Sequence, residues 1–555
     1  MRPLNTRLAS VVALWSLGLG CAPGCGTPGP AQQAEVVVPS EPAPEPSTPP
    51  VQVHVPPPGP TPALTDAARE ARLWAQRFIL GERAALLEDT AGQPFPVIGL
   101  AAGGGMQAAL IPSPGNLDAL PGSAGVGADG TAVAPAINGN ALGQFILLER
   151  GPEDPLQPFH EALRRLEQGL DEDGKVHVVV YGASHTAADI YPTYLRAYLQ
   201  KRFGDGGLGF FPLVRPSKFS RPFAATIDSS RGWKVEHAQK ADARDGFFGL
   251  LGASAASSKK RDYTRISFNV DPKAEPPART RYELSFLRQP GGGKFKVTVE
   301  GMKPFTIDTK AKSVAPGYHS FERPGGPAAI EVRPLGDGEV RLFGVTAEND
   351  ARGVVVDTLG IGGTRASNHL KWDEFVWADN FKRRAPDLFI LAYGSNESVD
   401  EDQPIGVYRK NLTEVLARFR RAAPGASCVL VGPGDFPVKQ PDGTLRPRPR
   451  VADIIATQRD VAREAGCAFW NAQQFMGGEG AMAFWAAAQP AMAMSDHLHL
   501  NRRGYTRMGM ALADALMFDF DGGAPVPAPG DTLLARDTPQ DRPDQAAAPP
   551  PTSAL

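Results

Sequence analysis

Ser184 stands in Tyr181-Gly182-Ala183-Ser184-His185-Thr186, directly after an apolar run. A helical pattern follows it, with Tyr191, Tyr194, Leu195, Tyr198 and Leu199 on one face. A serine on such a strand-to-helix turn is exposed at the end of a sheet, near backbone N–H groups that favour developing negative charge. It is a candidate nucleophile, although an ordinary helix cap has the same local pattern. Near the other end of the chain lies Ser495-Asp496-His497-Leu498-His499-Leu500-Asn501. An Asp at this distance before a His can fold back onto the imidazole. It then holds Nδ1–H and leaves Nε2 to take a serine proton. Two other readings compete: Asp496 or Asn501 caps the last helix, or His497 and His499 bind a metal with Asp496. The metal reading lacks a third ligand cluster, so no metal and no cofactor is expected.

Two further turns could serve the same reaction. Gly394-Ser395-Asn396-Glu397 follows the apolar run 388–393, and the Asn396 side-chain N–H can point at an oxyanion. Gly360-Ile361-Gly362-Gly363-Thr364 follows the run 354–356, and a Gly-rich turn lets a backbone N–H approach the same oxygen. Each motif alone is more often a tight turn than a site. Their shared placement, after strands or just before the last helix, is what points to acyl transfer.

The elements that must position them are short, continuous apolar runs at 176–181, 354–356, 388–393, 429–431 and 468–470. Such runs suit a parallel sheet buried on both faces. Helical patterns alternate with them, as at 407–419, where Val407, Leu412, Val415, Leu416 and Phe419 share a face. The class is α/β: a parallel sheet flanked by helices, with ligand chemistry at the carboxyl ends of the strands. Residues 219–351 differ. Tyr282, Leu284 and Phe286, then Phe295, Val297 and Val299, alternate with polar neighbours between Gly/Pro turns. That period of two predicts an antiparallel β-sandwich inserted into the α/β domain of 155–218 and 352–520. Its Trp233, Tyr282 and Tyr318 are read as packing residues rather than sugar platforms.

The chain has 555 residues, a 42% hydrophobic fraction and a net charge of −2, so nothing points to a nucleic-acid partner. The 60 Gly and 54 Pro concentrate outside the folded regions. Residues 1–21 read as an export signal: Arg2 and Arg7, an apolar stretch too short for the about 20 residues that span a bilayer, then Cys21. Leu17-Gly18-Leu19-Gly20-Cys21 is similar to a bacterial lipobox, in which the Cys is lipidated and anchors the chain to a membrane. Residues 22–65 form a Pro-rich linker, 66–154 a partly helical, partly disordered N-terminal region with helical periodicity over 67–87, and 521–555 a disordered tail. Cys428 and Cys467 each sit beside an apolar run. Export would permit them to pair, but two buried thiols are the preferred reading.

The four blocks resemble the SGNH/GDSL hydrolase superfamily, in which they supply Ser, Gly, Asn and His, with Asp from a DxxH ending. The resemblance implies Ser184 as nucleophile, Asp496 and His499 as its partners, and an oxyanion hole of the Ser184 and Gly363 N–H groups with Asn396. Gly362 is an alternative to Gly363. The closer resemblance is to peptidoglycan or polysaccharide O-acetylesterases carrying an inserted carbohydrate-binding-like β-domain, through 184–186, 203–210 and 476–480. It implies a serine esterase that removes small acyl groups, O-acetyl foremost, from a cell-envelope glycan. Ala183 departs from the family, which has Asp before the Ser. The rivals are an O-acetyltransferase with the same triad, a long-chain lipase and a non-catalytic glycan-binding lipoprotein.

Overall fold

The computed structural model describes residues 64–88, 125–126, 132–133, 137–240, 243–270 and 274–523. The export segment with Cys21, nearly all of the linker 22–65 and most of the tail 521–555 lie outside the described residues.

The apolar runs form a five-stranded parallel sheet. Its strands are β1 (Lys175–Gly182), β2 (Gly353–Gly360), β3 (Leu388–Ala392), β4 (Ser427–Val431) and β5 (Ala468–Trp470), in the order β2-β1-β3-β4-β5. The runs are continuous because successive side chains enter two different cores. Val178, Val180, Val356, Ile390, Val429 and Trp470 face one; Val179, Tyr181, Phe389, Leu391, Leu430 and Phe469 face the other. The first core is covered by α1 (Asp66–Leu80), α2 (Gln157–Gln168), α3 (Tyr191–Phe203), the short helices Ala472–Met476 and Ala481–Ala487, and the last helix, which follows three helices on the other side. The helices α4 (Glu374–Arg384), α5 (Ile405–Ala422) and α6 (Pro449–Glu464) cover the second core. The last helix is α7 (Arg502–Met517).

Helix α1 starts where Thr65 accepts a hydrogen bond from the Ala68 N–H. It stops earlier than the periodicity over 67–87 implies. Gly81 leaves the helix with a φ of 95°, and the chain folds back so that the Leu87 N–H reaches Gln76 Oε1 at 2.8 Å. The apolar periodicity beyond Leu80 therefore belongs to a return segment packed on the same face.

Between β1 and β2 the chain builds two antiparallel sheets. One runs Phe305–Asp308, Lys294–Val299, Ile330–Pro334, Thr264–Phe268, Ala225–Ser229. The other runs Ala315–Pro324, Arg279–Arg288, Val340–Asn349, Ala253–Ser257, Lys234–His237. Tyr282, Leu284, Phe286, Phe295, Val297 and Val332 fill the core between them. The insert begins earlier than its alternating pattern does. Gly207–Phe211, within the stretch assigned to the α/β domain, pairs with Val340–Asn349. Gly207 and Gly209 interrupt the alternation there, which hides the strand from a pattern reading. Arg384 of α4 ties the insert to the sheet by pairing with Asp357 of β2 and with Glu348 of the insert. The aromatics of the insert are engaged in packing. Trp233 donates to the Tyr263 carbonyl, Tyr282 is fully buried, and the Tyr318 hydroxyl donates to Asp379 with Arg383 stacked on its ring.

Cys428 and Cys467 are joined by a disulfide, which corrects the reading of them as free thiols. Cys428 lies in β4 and Cys467 directly precedes β5, so the parallel pairing brings their Cα atoms within 4.7 Å. Strand adjacency in a parallel sheet is a long-range fact that no local pattern encodes. The bond spans 39 residues. On the chain-entropy model, replacing both by Ala should cost about 4 kcal/mol and lower Tm by roughly 4 °C in a folded unit of this size. Equal Tm values for the variant and the oxidised wild type would remove this role.

Candidate active site

The order of the parallel strands decides which loops meet. β1 lies between β2 and β3, so the turn that follows it is flanked by the turns after those two strands. These are the turns bearing Ser184, Gly362–Gly363 and Asn396. The Ser184 turn is tight: a methyl group on Gly182 would lie 2.0 Å from Thr186 Oγ1, so only glycine fits. Ala183 packs into the apolar core and is 6% exposed. A carboxylate in its place would be buried there. Asp189, just beyond the turn, ties the segment that follows it to β2 and to the start of the insert. It takes a left-handed φ of 54°, and its carboxylate accepts from Thr358 Oγ1 of β2 at 2.6 Å and from the Phe223 N–H at 2.8 Å.

The loop before α7 brings the imidazole. Its two limbs are bridged at Ala493 and Leu500, and the Met494 N–H donates to the His499 carbonyl at 2.7 Å. Asn501 caps α7, accepting from the Gly504 N–H at 3.1 Å. Asp496 is therefore left for another purpose. Its Oδ1 accepts the backbone N–H groups of Leu498 and His499, each at 3.0 Å. Its Oδ2 lies 2.7 Å from His499 Nδ1, and His499 Nε2 lies 2.8 Å from Ser184 Oγ. Burial acts to raise the Asp496 carboxyl, but the hydrogen bonds from the His499 ring and from these backbone N–H groups outweigh it and hold it below its ordinary value. An ionised carboxylate can only accept, so Nδ1 carries the ring proton and Nε2 faces the serine as acceptor.

His185 is the near neighbour of this imidazole, with ring centroids 5.3 Å apart. Its Nδ1 lies 2.9 Å from the Tyr505 hydroxyl. Burial and the proximity of His499 push its pKa down to about 3, so it stays neutral and does not oppose a positive charge on His499. His497 has a left-handed φ of 53°. Among the described residues no group of three or more His, Cys, Asp or Glu is arranged to hold a metal ion.

The two candidate oxyanion turns are stitched to each other. Asn396 Nδ2 donates to the Thr364 carbonyl at 2.9 Å, which leaves its second N–H free for another acceptor. Buried Glu397 accepts from the Ala366 N–H at 2.8 Å and the Gly394 N–H at 3.0 Å. Gly363 has a φ of 80°, and a methyl on Gly362 would come within 3.9 Å of Ser184 Cβ. Sequence reasoning singled out Asn396 and both glycines, but it assigned no role to Glu397 or Asp189.

Residues 337–507 match the model of the GDSL-like lipase/acylhydrolase family. The chain carries a GDSL-like lipase/acylhydrolase domain. The matched span includes Gly363, Asn396, Asp496 and His499 and begins after Ser184, because the insert separates the serine turn from the rest. Among solved structures, a peptidoglycan O-acetylesterase is 24% identical with a TM-score of 0.55, over 66% of this chain and 97% of that one. It shares the fold. A family two carbohydrate esterase from Cellvibrio japonicus is 11% identical with a TM-score of 0.22, over 54% of this chain and 98% of its own. An acetyl xylan esterase, AlAXEase, is 14% identical with a TM-score of 0.23, over 29% and 80%. No curated protein matches the chain.

One buried acid of the GDSL-like domain supports the histidine loop from behind. Asp435, after β4, is 3% exposed. Its Oδ2 accepts the Met482 N–H at 3.0 Å, at the start of the helix Ala481–Ala487. The Trp485 carbonyl in that helix takes the N–H groups of Met492 and Ala493, where the histidine loop begins. Burial pushes the Asp435 carboxyl up to about 6, against the hydrogen bonds from Met482, Gly480 and Gln473. A folded-state value above the unfolded one gives stability that is full below the ordinary value of 3.8 and is lost as pH rises through about 6. The wild type should therefore lose on the order of 3 kcal/mol between about pH 4 and pH 7 from this group. Asp435→Asn should flatten that part of the Tm–pH profile while lowering Tm at low pH. A wild-type profile with the same slope as the variant would exclude Asp435 as its source.

Proposed function

We propose that this protein is a serine esterase that removes small acyl groups, O-acetyl foremost, from a cell-envelope glycan. The observation that carries the reading is the hydrogen-bonded chain Ser184 Oγ, His499, Asp496 at the carboxyl edge of the sheet. His499 Nε2 takes the Ser184 proton as Oγ bonds to the ester carbonyl carbon. The resulting oxyanion lies among the Ser184 and Gly363 N–H groups and Asn396 Nδ2. Collapse breaks the bond to the sugar oxygen, which takes the proton from His499. Water repeats the sequence, releasing the carboxylic acid and restoring the serine.

A polymeric substrate is supported by access: the His499 and Asp496 side chains are 30% and 47% exposed, so a chain too large to enter a closed pocket can reach them. Export is supported by the Cys428–Cys467 disulfide, since such bonds persist in oxidising compartments. Anchoring through a lipid on Cys21 belongs to the same reading. The test is acetate release from an O-acetylated polysaccharide by the exported chain, beside Ser184→Ala. Release by the wild type alone is the expected result. No release from any acetylated glycan, with p-nitrophenyl acetate also untouched, would overturn the esterase reading.

A further inference from the structure

The turn after Lys234–His237 reaches from the insert to the oxyanion turn of the GDSL-like domain. It is closed by the Lys240 N–H donating to the His237 carbonyl at 2.9 Å. Gln239 is at its tip. A methyl group built on Gly363 would lie 2.3 Å from Gln239 Nε2, 3.3 Å from Cδ and 3.4 Å from Oε1. The whole carboxamide therefore rests against the α-carbon of Gly363. The Gln239 side chain is exposed and makes no hydrogen bond among the described residues. It presents two donors and one acceptor beside the reacting centre, none of them used by the described residues.

We propose that Gln239 is a specificity-determining residue, supplied by the insert, that hydrogen-bonds the hydroxyl or acetamido groups of the acylated sugar. The inference rests on the esterase reading above. Its logic is chemical. The methyl of an acetyl group offers nothing to a carboxamide, and the carbonyl oxygen is already served by the oxyanion turn. Only the alcohol side of the ester carries polar groups that can use both functions of the amide. A small aryl ester lacks those groups. The insert thereby becomes a wall of the active site, and its attachment through Arg384, Asp357 and Glu348 fixes where that wall stands.

The test compares the wild type, Gln239→Ala and Gln239→Glu on an O-acetylated chitooligosaccharide and on p-nitrophenyl acetate. Gln239→Ala should lower kcat/KM on the oligosaccharide about tenfold, through KM, as one neutral hydrogen bond is lost. Its rate on the aryl ester should stay within about twofold, and its Tm should match the wild type. Gln239→Glu loses the donors and adds a negative charge beside the oxyanion turn, so it should slow both substrates, the oligosaccharide more. Equal losses on both substrates in Gln239→Ala would make Gln239 a support of the oxyanion turn and overturn the proposal. No loss on either would also overturn it. A wild type active on the aryl ester but inactive on the oligosaccharide would instead sink the glycan reading, and this inference with it.

Discussion

Replacing Ser184 by Ala is expected to lower kcat on an activated acetyl ester by ~10⁵-fold, and His499→Ala by a similar factor. In the proposed mechanism the two act in one step, since the proton that leaves Oγ is the one Nε2 receives across 2.8 Å. Removing both should therefore cost no more than removing either. Asp496→Asn should cost less, about 10³- to 10⁴-fold. The carboxylate keeps Nδ1 protonated, and an amide in its place could turn its N–H toward the ring and favour the wrong tautomer. Ser184→Ala should barely change stability, whereas His499→Ala and Asp496→Asn should lower it modestly, because each breaks or weakens the hydrogen bond that holds the Asp496 carboxyl below its ordinary value. Steady-state rates beside Tm for the three single variants and the Ser184→Ala/His499→Ala pair settle the matter. If the pair multiplied the single losses, the two residues would act independently and the proton-transfer assignment would be wrong.

The residues of that chain could be found in the sequence because each sits at a break between two periodicities. Ser184 follows an apolar run and precedes a helical face; His499 lies just before the last amphipathic helix. The parallel sheet was legible for a related reason: strands buried on both faces show as unbroken Val, Ile and Leu. What stayed hidden depends on which strands are neighbours. Cys428 and Cys467 pair only because β4 and β5 are adjacent. The start of the insert at Gly207 is masked by glycines that break the alternation. Gln239 is the plainest case. It comes from a turn of the insert with no motif of its own, and only the packed structure sets it against Gly363. Nor does any local signal link Asp435 to the histidine loop, since the connection passes through the short helix Ala481–Ala487.

Asn396→Ala is expected to lower kcat by ~10²- to 10³-fold with little change in KM, because an oxyanion exists in the transition state and not in the bound ester. In the proposed mechanism the side chain has two tasks: one N–H holds the Thr364 carbonyl, and the other serves the oxyanion. Losing the first would also loosen the turn that carries Gly363. A second variant separates the two tasks. Gly363→Ala leaves Asn396 intact but forces an alanine to a φ of 80°, costing about 1–2 kcal/mol in the backbone. It also drives the new methyl into the Gln239 amide, 2.3 Å away. That collision is relievable, since Gln239 is exposed and can swing aside, whereas the backbone strain is not. Gly363→Ala should thus lose about 10²-fold in kcat, and adding Gln239→Ala should recover no more than about twofold. Recovery of most of the rate in the double variant would show that the methyl acts through Gln239, and that an alanine backbone at this position leaves the N–H where the glycine holds it.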